Sequence, residues 1–333
     1  MAIHRDPIGA RPVVNQENTS LVAAAAKETF REEVLVGLSR SSRHLPYKFF
    51  YDERGAQLFQ QICELPEYYI TRTEIEILRL HGSEMAKALG PQIELIGLGT
   101  GAGTKTRILL EELDNPAVYV PIDISKEQLE KSSARFREMF PAPQILPVCA
   151  DYLEPFELPL PRKLSSRSVV YFPGSTIGNF EPETASEFLE RLVDLAGDDG
   201  GLLIGVDLQK DRDVLERAYN DSAGVTAQFN KNLLARINRE LGADFDLHRW
   251  QHHAIYNPTE GRIEIYLISD NAQTVHIGAR EFQFRAGEEI LTEYSYKHTI
   301  AGFIELALGA GFHFEQVWTD AARWFGVFYF TVL

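Results

Sequence analysis

The period of apolar positions changes several times along the 333-residue chain, and the changes divide it. Residues 1–20 mix Pro, Gly, Asn and charges without a period and read as a loose arm. From Ser20 to Ser39 apolar residues return at helical spacing (Leu21, Phe30, Val34, Leu35, Leu38). An aromatic-dense stretch punctuated by Pro46 and Pro66 follows. Thr71 and Glu74 form a T-x-x-E pattern that predicts a capping box, with Ile75, Leu78, Met85 and Leu89 on the helix behind it and Gly90-Pro91 as its stop. Strands and helices then alternate. Strands are predicted at Ile93–Leu98, Val118–Ile122, Ile145–Ala150, Ser168–Phe172 and Leu202–Val206. Helices are predicted at Lys105–Leu113, Lys126–Phe140 and Glu183–Ala196, the last led by Pro182. This rhythm implies an α/β fold, a parallel sheet with helices on both faces.

The rhythm breaks after Asp207. Residues 211–241 read as long helices, and residues 252–296 alternate apolar and polar positions, as strands do. The α/β pattern then resumes with a helix at Ile300–Ala310 and strands at Phe314–Trp318 and Phe325–Leu333. An inserted α+β subdomain is expected. The chain divides accordingly into an arm (1–20), an N-terminal part of a substrate-binding domain (21–72), a sheet domain (73–209), the insertion (210–297) and the end of the sheet domain (298–333).

Composition narrows the partners. With 33 basic and 48 acidic residues the formal charge is −15, which argues against nucleic acid or an anionic membrane surface. No secretory apolar region and no run of ~18 apolar residues is apparent, so a soluble, cytoplasmic protein, acting as a monomer, is expected. Cys63 and Cys149 sit among apolar neighbours and are expected to be buried free thiols. His248, His252 and His253 suggest a shared helical face, but no H-E-x-x-H or third ligand accompanies them, and no metal is expected.

The segment IELIGLGTGAGTKT reads as strand, turn and helix, with Gly97, Gly99, Gly101 and Gly103 letting the backbone approach a ligand. Asp123 ends the next strand, placed for ribose hydroxyls, and Asp151-Tyr152 ends the third, placed for an adenine. Three successive strand ends of this kind point to a nucleoside cofactor. The glycine spacing is not the dinucleotide G-x-G-x-x-G, which favours S-adenosylmethionine over NAD.

Four further segments, FFYDERGAQLFQQICELPEYYITRTE, FPGSTIGNF, RAYNDSAGVTAQFN and LTEYS, are together similar to the L-histidine Nα-methyltransferases of ergothioneine biosynthesis, over about residues 25–333. The resemblance implies a Rossmann-like class I methyltransferase sheet with an inserted substrate domain. It implies trimethylation of histidine to hercynine by three S-adenosylmethionines, each released as S-adenosylhomocysteine. By the same resemblance, Tyr51, Gly99, Lys105, Asp123, Asp151 and Tyr152 contact the cofactor. Asn179 and Tyr219 hold the substrate carboxylate; Tyr68, Glu293 and Ser295 recognise the imidazole; Gly174, Thr176, Phe59 and Phe229 line the space around amine and ring. Two positions depart from the family pattern. Gly97 stands where an acidic residue is common, and Ile265 where a methionine packs on the imidazole in some members.

The residues themselves add a physical reason for two of these roles. Glu293 and Ser295 are i and i+2 in an alternating segment, so both face one side of a strand, where a carboxylate and a hydroxyl match the two ring nitrogens of imidazole. Asn179 ends a Gly-rich strand-to-helix loop, and its amide can both donate and accept. A relative acting on another aromatic amino acid, such as tryptophan, and a non-catalytic cofactor-binding module are the alternatives.

Overall fold

The computed structural model of the protein describes residues 16–333. The expected arm therefore lies mostly outside the described residues, and helix α1 (Gln16–Ser39) begins before the expected Ser20. Helix α2 (Glu53–Glu64) is started by Asp52, whose side chain accepts from Gly55 N at 2.7 Å. Helix α3 (Tyr69–Leu89) starts earlier than the T-x-x-E pattern predicts. Thr71 lies inside it and donates to Cys63 Sγ at 3.2 Å, so no capping box forms. What sets this start is long-range: the buried Tyr69 hydroxyl reaches Asp207, and its ring packs edge-on to Trp324 at 5.2 Å.

The alternating segment folds as β1 (Glu94–Leu98), α4 (Thr104–Glu112), β2 (Val118–Asp123), α5 (Lys126–Met139), β3 (Gln144–Ile145), β4 (Val148–Cys149), β5 (Ser168–Phe172), α6 (Pro182–Ala196) and β6 (Gly201–Asp207). The strand predicted at Ile145–Ala150 is two short pieces, because Pro147 between them has no N–H to give the ladder. Cys149 sits on this edge and is exposed, contrary to the expected buried thiol, whereas Cys63 is half-buried.

After the insertion come α9 (Ile300–Gly309), β12 (His313–Thr319) and β13 (Phe325–Thr331). The central sheet runs β12-β13-β6-β5-β1-β2-β3, with β4 also beside β2. All pairs are parallel except that β13 runs antiparallel to both β6 and β12. Leu95 of β1 faces one core, while Ile96 and Leu98 face the other, as the period of two requires. The strand order reverses at β1, so the crevice beyond its C-terminal end is where such sheets bind ligands.

The insertion contributes α7 (Arg212–Tyr219), α8 (Val225–Leu241) and strands β7 (Trp250–Asn257), β8 (Arg262–Ser269), β9 (Gln273–Ile277), β10 (Arg280–Phe284) and β11 (Glu289–Tyr296). Strands β11-β8-β7 form an antiparallel sheet, and β9-β10 a hairpin. The chain before α2 joins them: Leu45 N donates to Leu291 O at 2.8 Å and Leu291 N to Arg43 O at 2.9 Å. The core of this lobe is continuous with one face of the central sheet. No helix among the described residues is long and apolar enough to cross a membrane.

Candidate active site

Beyond β1 the chain turns through Gly99 (φ 58°), Gly101 (φ 49°) and Gly103 (φ 73°), a left-handed series that side chains would strain. The turn is braced by Asp123 at the end of β2. Its Oδ2 accepts from Gly101 N at 3.1 Å and its Oδ1 from Ser125 N at 2.9 Å, while burial pushes its carboxyl above the usual range. Asp151, just past β4, accepts from Leu153 N at 2.9 Å. The Tyr152 ring lies over Gly99: a Cβ there would stand 3.4 Å from Tyr152 Cε1. At Gly101 an added Cβ would meet nothing within 4 Å, so the turn opens onto free space beside the Asp123 carboxylate. The basic side chains of the following helix are already paired, Lys105 with Glu74 at 2.5 Å and Arg107 with Glu111 at 2.6 Å. A crevice whose Asp123 carboxylate braces the turn suits the uncharged ribose and cationic sulfonium of S-adenosylmethionine better than a pyrophosphate.

Glu74 is fully buried and also accepts from Gly174 N through both carboxylate oxygens, at 3.1 and 3.0 Å. It thus ties the cofactor turn to the loop Pro173–Asn179. Ser175 in that loop has φ 60°, and its Oγ accepts from Asp207 N at 2.8 Å. A Cβ at Gly178 would come within 2.8 Å of Tyr296 O, so only glycine lets β11 approach. That approach brings the Asn179 and Glu293 side chains together on the lining of one cleft.

Between the turn and the lobe lies a cleft that joins an aromatic wall to polar groups of the loop and of β11. Eleven sequence-predicted residues line it: Tyr51, Phe59, Tyr68 and Phe229 as an aromatic wall, Gly174, Thr176 and Asn179 from the loop, and Tyr219, Ile265, Glu293 and Ser295 from the lobe. Phe59 meets Tyr51 edge-on at 5.6 Å and Tyr68 at 6.2 Å, and Tyr68 meets Tyr219 at 6.1 Å. Gly99, Lys105, Asp123, Asp151 and Tyr152 do not line this cleft; they belong to the strand-end crevice, and Lys105 Nζ, 3.3 Å from where a Cβ on Gly174 would stand, joins the two. Burial raises the Glu293 carboxyl to about 7, against the pull of Lys297 and Asn179.

Several residues here escaped the sequence reading. Asp207, wholly buried at the end of β6, receives Lys297 at 2.8 Å, Lys210 at 2.6 Å and the Tyr69 hydroxyl at 2.8 Å. Burial alone would raise its carboxyl, but Lys297 and Lys210 outweigh that and hold it below the ordinary value. Lys297 continues the alternation of Glu293 and Ser295, so the same period-of-two rule, carried one step further, would have found it. His252 lies on β7 and not on a helix. One ring nitrogen is 2.7 Å from Tyr219 O and the other 3.0 Å from Asn230 Nδ2, while burial lowers its pKa. It braces Tyr219 and shares no helical face with His248 or His253.

The doubly wound sheet with its antiparallel β13, and a strand-end crevice opening beside a second cleft, define a class I S-adenosylmethionine-dependent methyltransferase. The family described as histidine-specific, SAM-dependent methyltransferase matches residues 30–332, and the chain belongs to it. It is 42% identical over 312 residues to a histidine N-alpha-methyltransferase of Mycolicibacterium smegmatis, covering 92% of this chain and 96% of that one. It is 34% identical to ergothioneine biosynthesis protein 1 of Neurospora crassa, over 65% of this chain and 27% of that protein. It is 27% identical to a 4-dimethylallyltryptophan N-methyltransferase of Claviceps fusiformis, over 91% and 92% of the two chains.

Proposed function

We infer that the protein methylates the α-nitrogen of L-histidine three times, forming the betaine hercynine for ergothioneine biosynthesis. The observation that carries this reading is the convergence of Glu293, Ser295 and Asn179 on one small aromatic-walled cleft beside the glycine turn. S-adenosylmethionine supplies a methyl on a sulfonium whose departure needs no acid. The chain has to hold the amine in line with that methyl, at ~3–3.5 Å, and keep it there. The α-ammonium of a free amino acid, held above the ~8 of a chain terminus by its own carboxylate, is protonated at pH 7, so it must shed a proton before each transfer. A third methyl leaves nitrogen without a lone pair, and the sequence ends there.

In this reading Tyr219 and Asn179 hold the carboxylate, and Tyr68, Glu293 and Ser295 hold the ring, with Ile265 packing on it. Phe59, Phe229, Gly174 and Thr176 shape the space around the amine. Tyr51, Gly99, Lys105, Asp123, Asp151 and Tyr152 hold the cofactor. Residues 21–72 and 210–297 together make the substrate domain, and 73–209 with 298–333 the methyltransferase domain. We read the protein as a cytoplasmic monomer, and gel filtration at 37.7 kDa checks the oligomeric part.

The experiment is to mix protein, S-adenosylmethionine and histidine and follow mass. Gains of one, two and three methyls on histidine are expected, with tryptophan turned over far more slowly. Methylation of tryptophan in preference to histidine would favour the second reading, which the Claviceps relative and the apolar Ile265 support. No mass gain on any amino acid would leave only a cofactor-binding module.

Two substitutions separate the clefts. Asn179→Ala removes hydrogen bonds to a charged substrate, each worth ~1.5–3 kcal/mol, so the KM for histidine is expected to rise about 10–150-fold with cofactor affinity unchanged. Gly101→Val fills the open space over the turn and strains a left-handed residue by ~1–2 kcal/mol. Calorimetry should then show S-adenosylhomocysteine binding weakened about 5–30-fold. Equal damage to both ligands by either variant would count against two separate subsites.

A further inference from the structure

The Tyr219 and Ser295 hydroxyls stand 2.8 Å apart, and Lys297 Nζ lies 2.8 Å from the first and 2.7 Å from the second. Its third contact is Asp207 Oδ2, at 2.8 Å. Lys297 is only 3% exposed. An ammonium has three protons and no lone pair, so these contacts use all of its hydrogen-bonding capacity. Each hydroxyl oxygen therefore gives one lone pair to Lys297. One of the two hydroxyl protons must lie between the oxygens, since two lone pairs facing each other at that distance would repel. A single proton and a single lone pair remain for the cleft, on different residues.

We propose that Lys297 is a positioning residue that fixes the direction of this hydroxyl pair and, through it, the protonation state of the ring the cleft accepts. The inference rests on the reading above, in which Tyr219 holds the substrate carboxylate. A carboxylate only accepts, so Tyr219 turns its proton outward. Ser295 must then donate to Tyr219, and it faces the ring with its lone pair alone. The ring brings an N–H to Ser295 and turns its other nitrogen to Glu293. That nitrogen and Glu293 share one proton, either as ring N–H against carboxylate or as carboxyl against bare nitrogen. In both forms the bound couple carries one proton more than a neutral ring and a free carboxylate.

The surroundings keep this pattern intact near neutral pH. Asp207 outweighs the burial of Lys297 and holds its ammonium raised, hence charged. Glu293 is faced by Tyr47, Tyr51, Tyr68, Asn179 and Lys297; burial raises the three phenols, which stay protonated. On the Lys297 side stand Asp207, Tyr69, Lys210 and His298. Burial lowers His298 to about 4, so it stays neutral. Lys210, lowered to about 8 by burial, touches the opposite oxygen of Asp207.

The test uses the full chain with S-adenosylhomocysteine and the trimethylated product, whose quaternary ammonium carries no titrating proton. Calorimetry at pH 8, in buffers of different ionisation enthalpy, counts the protons exchanged on binding. Uptake approaching one proton is expected for the wild-type protein, and less than half of that for Lys297→Met. Product binding without uptake by the wild type overturns the inference and leaves the methyltransferase reading standing. Undiminished uptake in Lys297→Met also overturns it, because Glu293 alone would then set the count. If Lys297→Met does not fold, Ser295→Ala carries the comparison, with lost uptake supporting the inference and retained uptake overturning it. Failure of the wild type to bind either histidine or product overturns the functional reading instead.

Discussion

Replacing Glu293 with alanine is expected to lower kcat/KM for histidine by about 10–150-fold, while the values for tryptophan and tyrosine hold or rise. The size follows from losing one charge-assisted hydrogen bond, ~1.5–3 kcal/mol. The direction follows from the cleft: Tyr51, Phe59 and Phe229 present aromatic faces that do not distinguish one flat ring from another, and Glu293 brings the carboxyl among the described residues that line it. An indole has one N–H and no second polar site, so it can pair with Glu293 or with Ser295 but not with both, and without the carboxyl its N–H still has the Ser295 hydroxyl to meet. Glu293→Gln keeps the shape and the contact to Asn179 while removing the titration, and should fall between wild type and alanine. Steady-state kinetics with the three amino acids decide it. If alanine at 293 leaves the preference for histidine intact, ring selection lies elsewhere.

Asp207→Asn is expected to be the most destabilising conservative change. It leaves the buried Lys297 and Lys210 without their shared carboxylate. Breaking a buried ion pair on one side costs ~3–5 kcal/mol, which for a chain of this size lowers Tm by roughly 4–7 °C. The change also frees one side of the link between Ser175 in the substrate loop and Lys297 after β11, so activity should fall at temperatures where the variant is still folded. Because the folded-state carboxyl lies below its ordinary value, its contribution is fully present above about pH 4 and disappears as pH falls through the folded-state value. The gap between wild type and variant should accordingly narrow in acid. Differential scanning calorimetry at pH 7 and in acid measures both effects, and a Tm loss under about 2 °C at pH 7 would show that the lysines find other partners.

What could be read from the sequence was whatever leaves a local period. The α/β alternation, the β-rich insertion and the pairing of Glu293 with Ser295 on one strand face all follow from spacing alone. Gly178 and Asn179 were visible as loop chemistry, although the reason for the glycine, the backbone of Tyr296, lies more than a hundred residues away. The misreadings share one cause. Glu74 has the spacing of a capping residue, but its partners are Lys105 and the backbone of Gly174, which only the fold brings near. His248 and His252 have the i, i+4 spacing of a helical face, but His248 lies in a short 3-10 turn and His252 on β7, so the spacing joins them on no common face. Pro147 was the one local signal passed over, and it splits β3 from β4. Of the buried ion network, Lys297 alone shares the period of Glu293 and Ser295, and that it shares Asp207 with Lys210 becomes visible only in three dimensions.

The position of β13 also bears on how the molecule is made. It lies between β6 and β12 and pairs along its length with both, so β6 has no neighbour on that side until residues 325–331 leave the ribosome. A nascent chain halted before that point would expose a bare, entirely apolar-flanked strand edge, the kind of surface that recruits other chains. A truncation before Phe325 should therefore yield aggregate in place of a smaller folded unit.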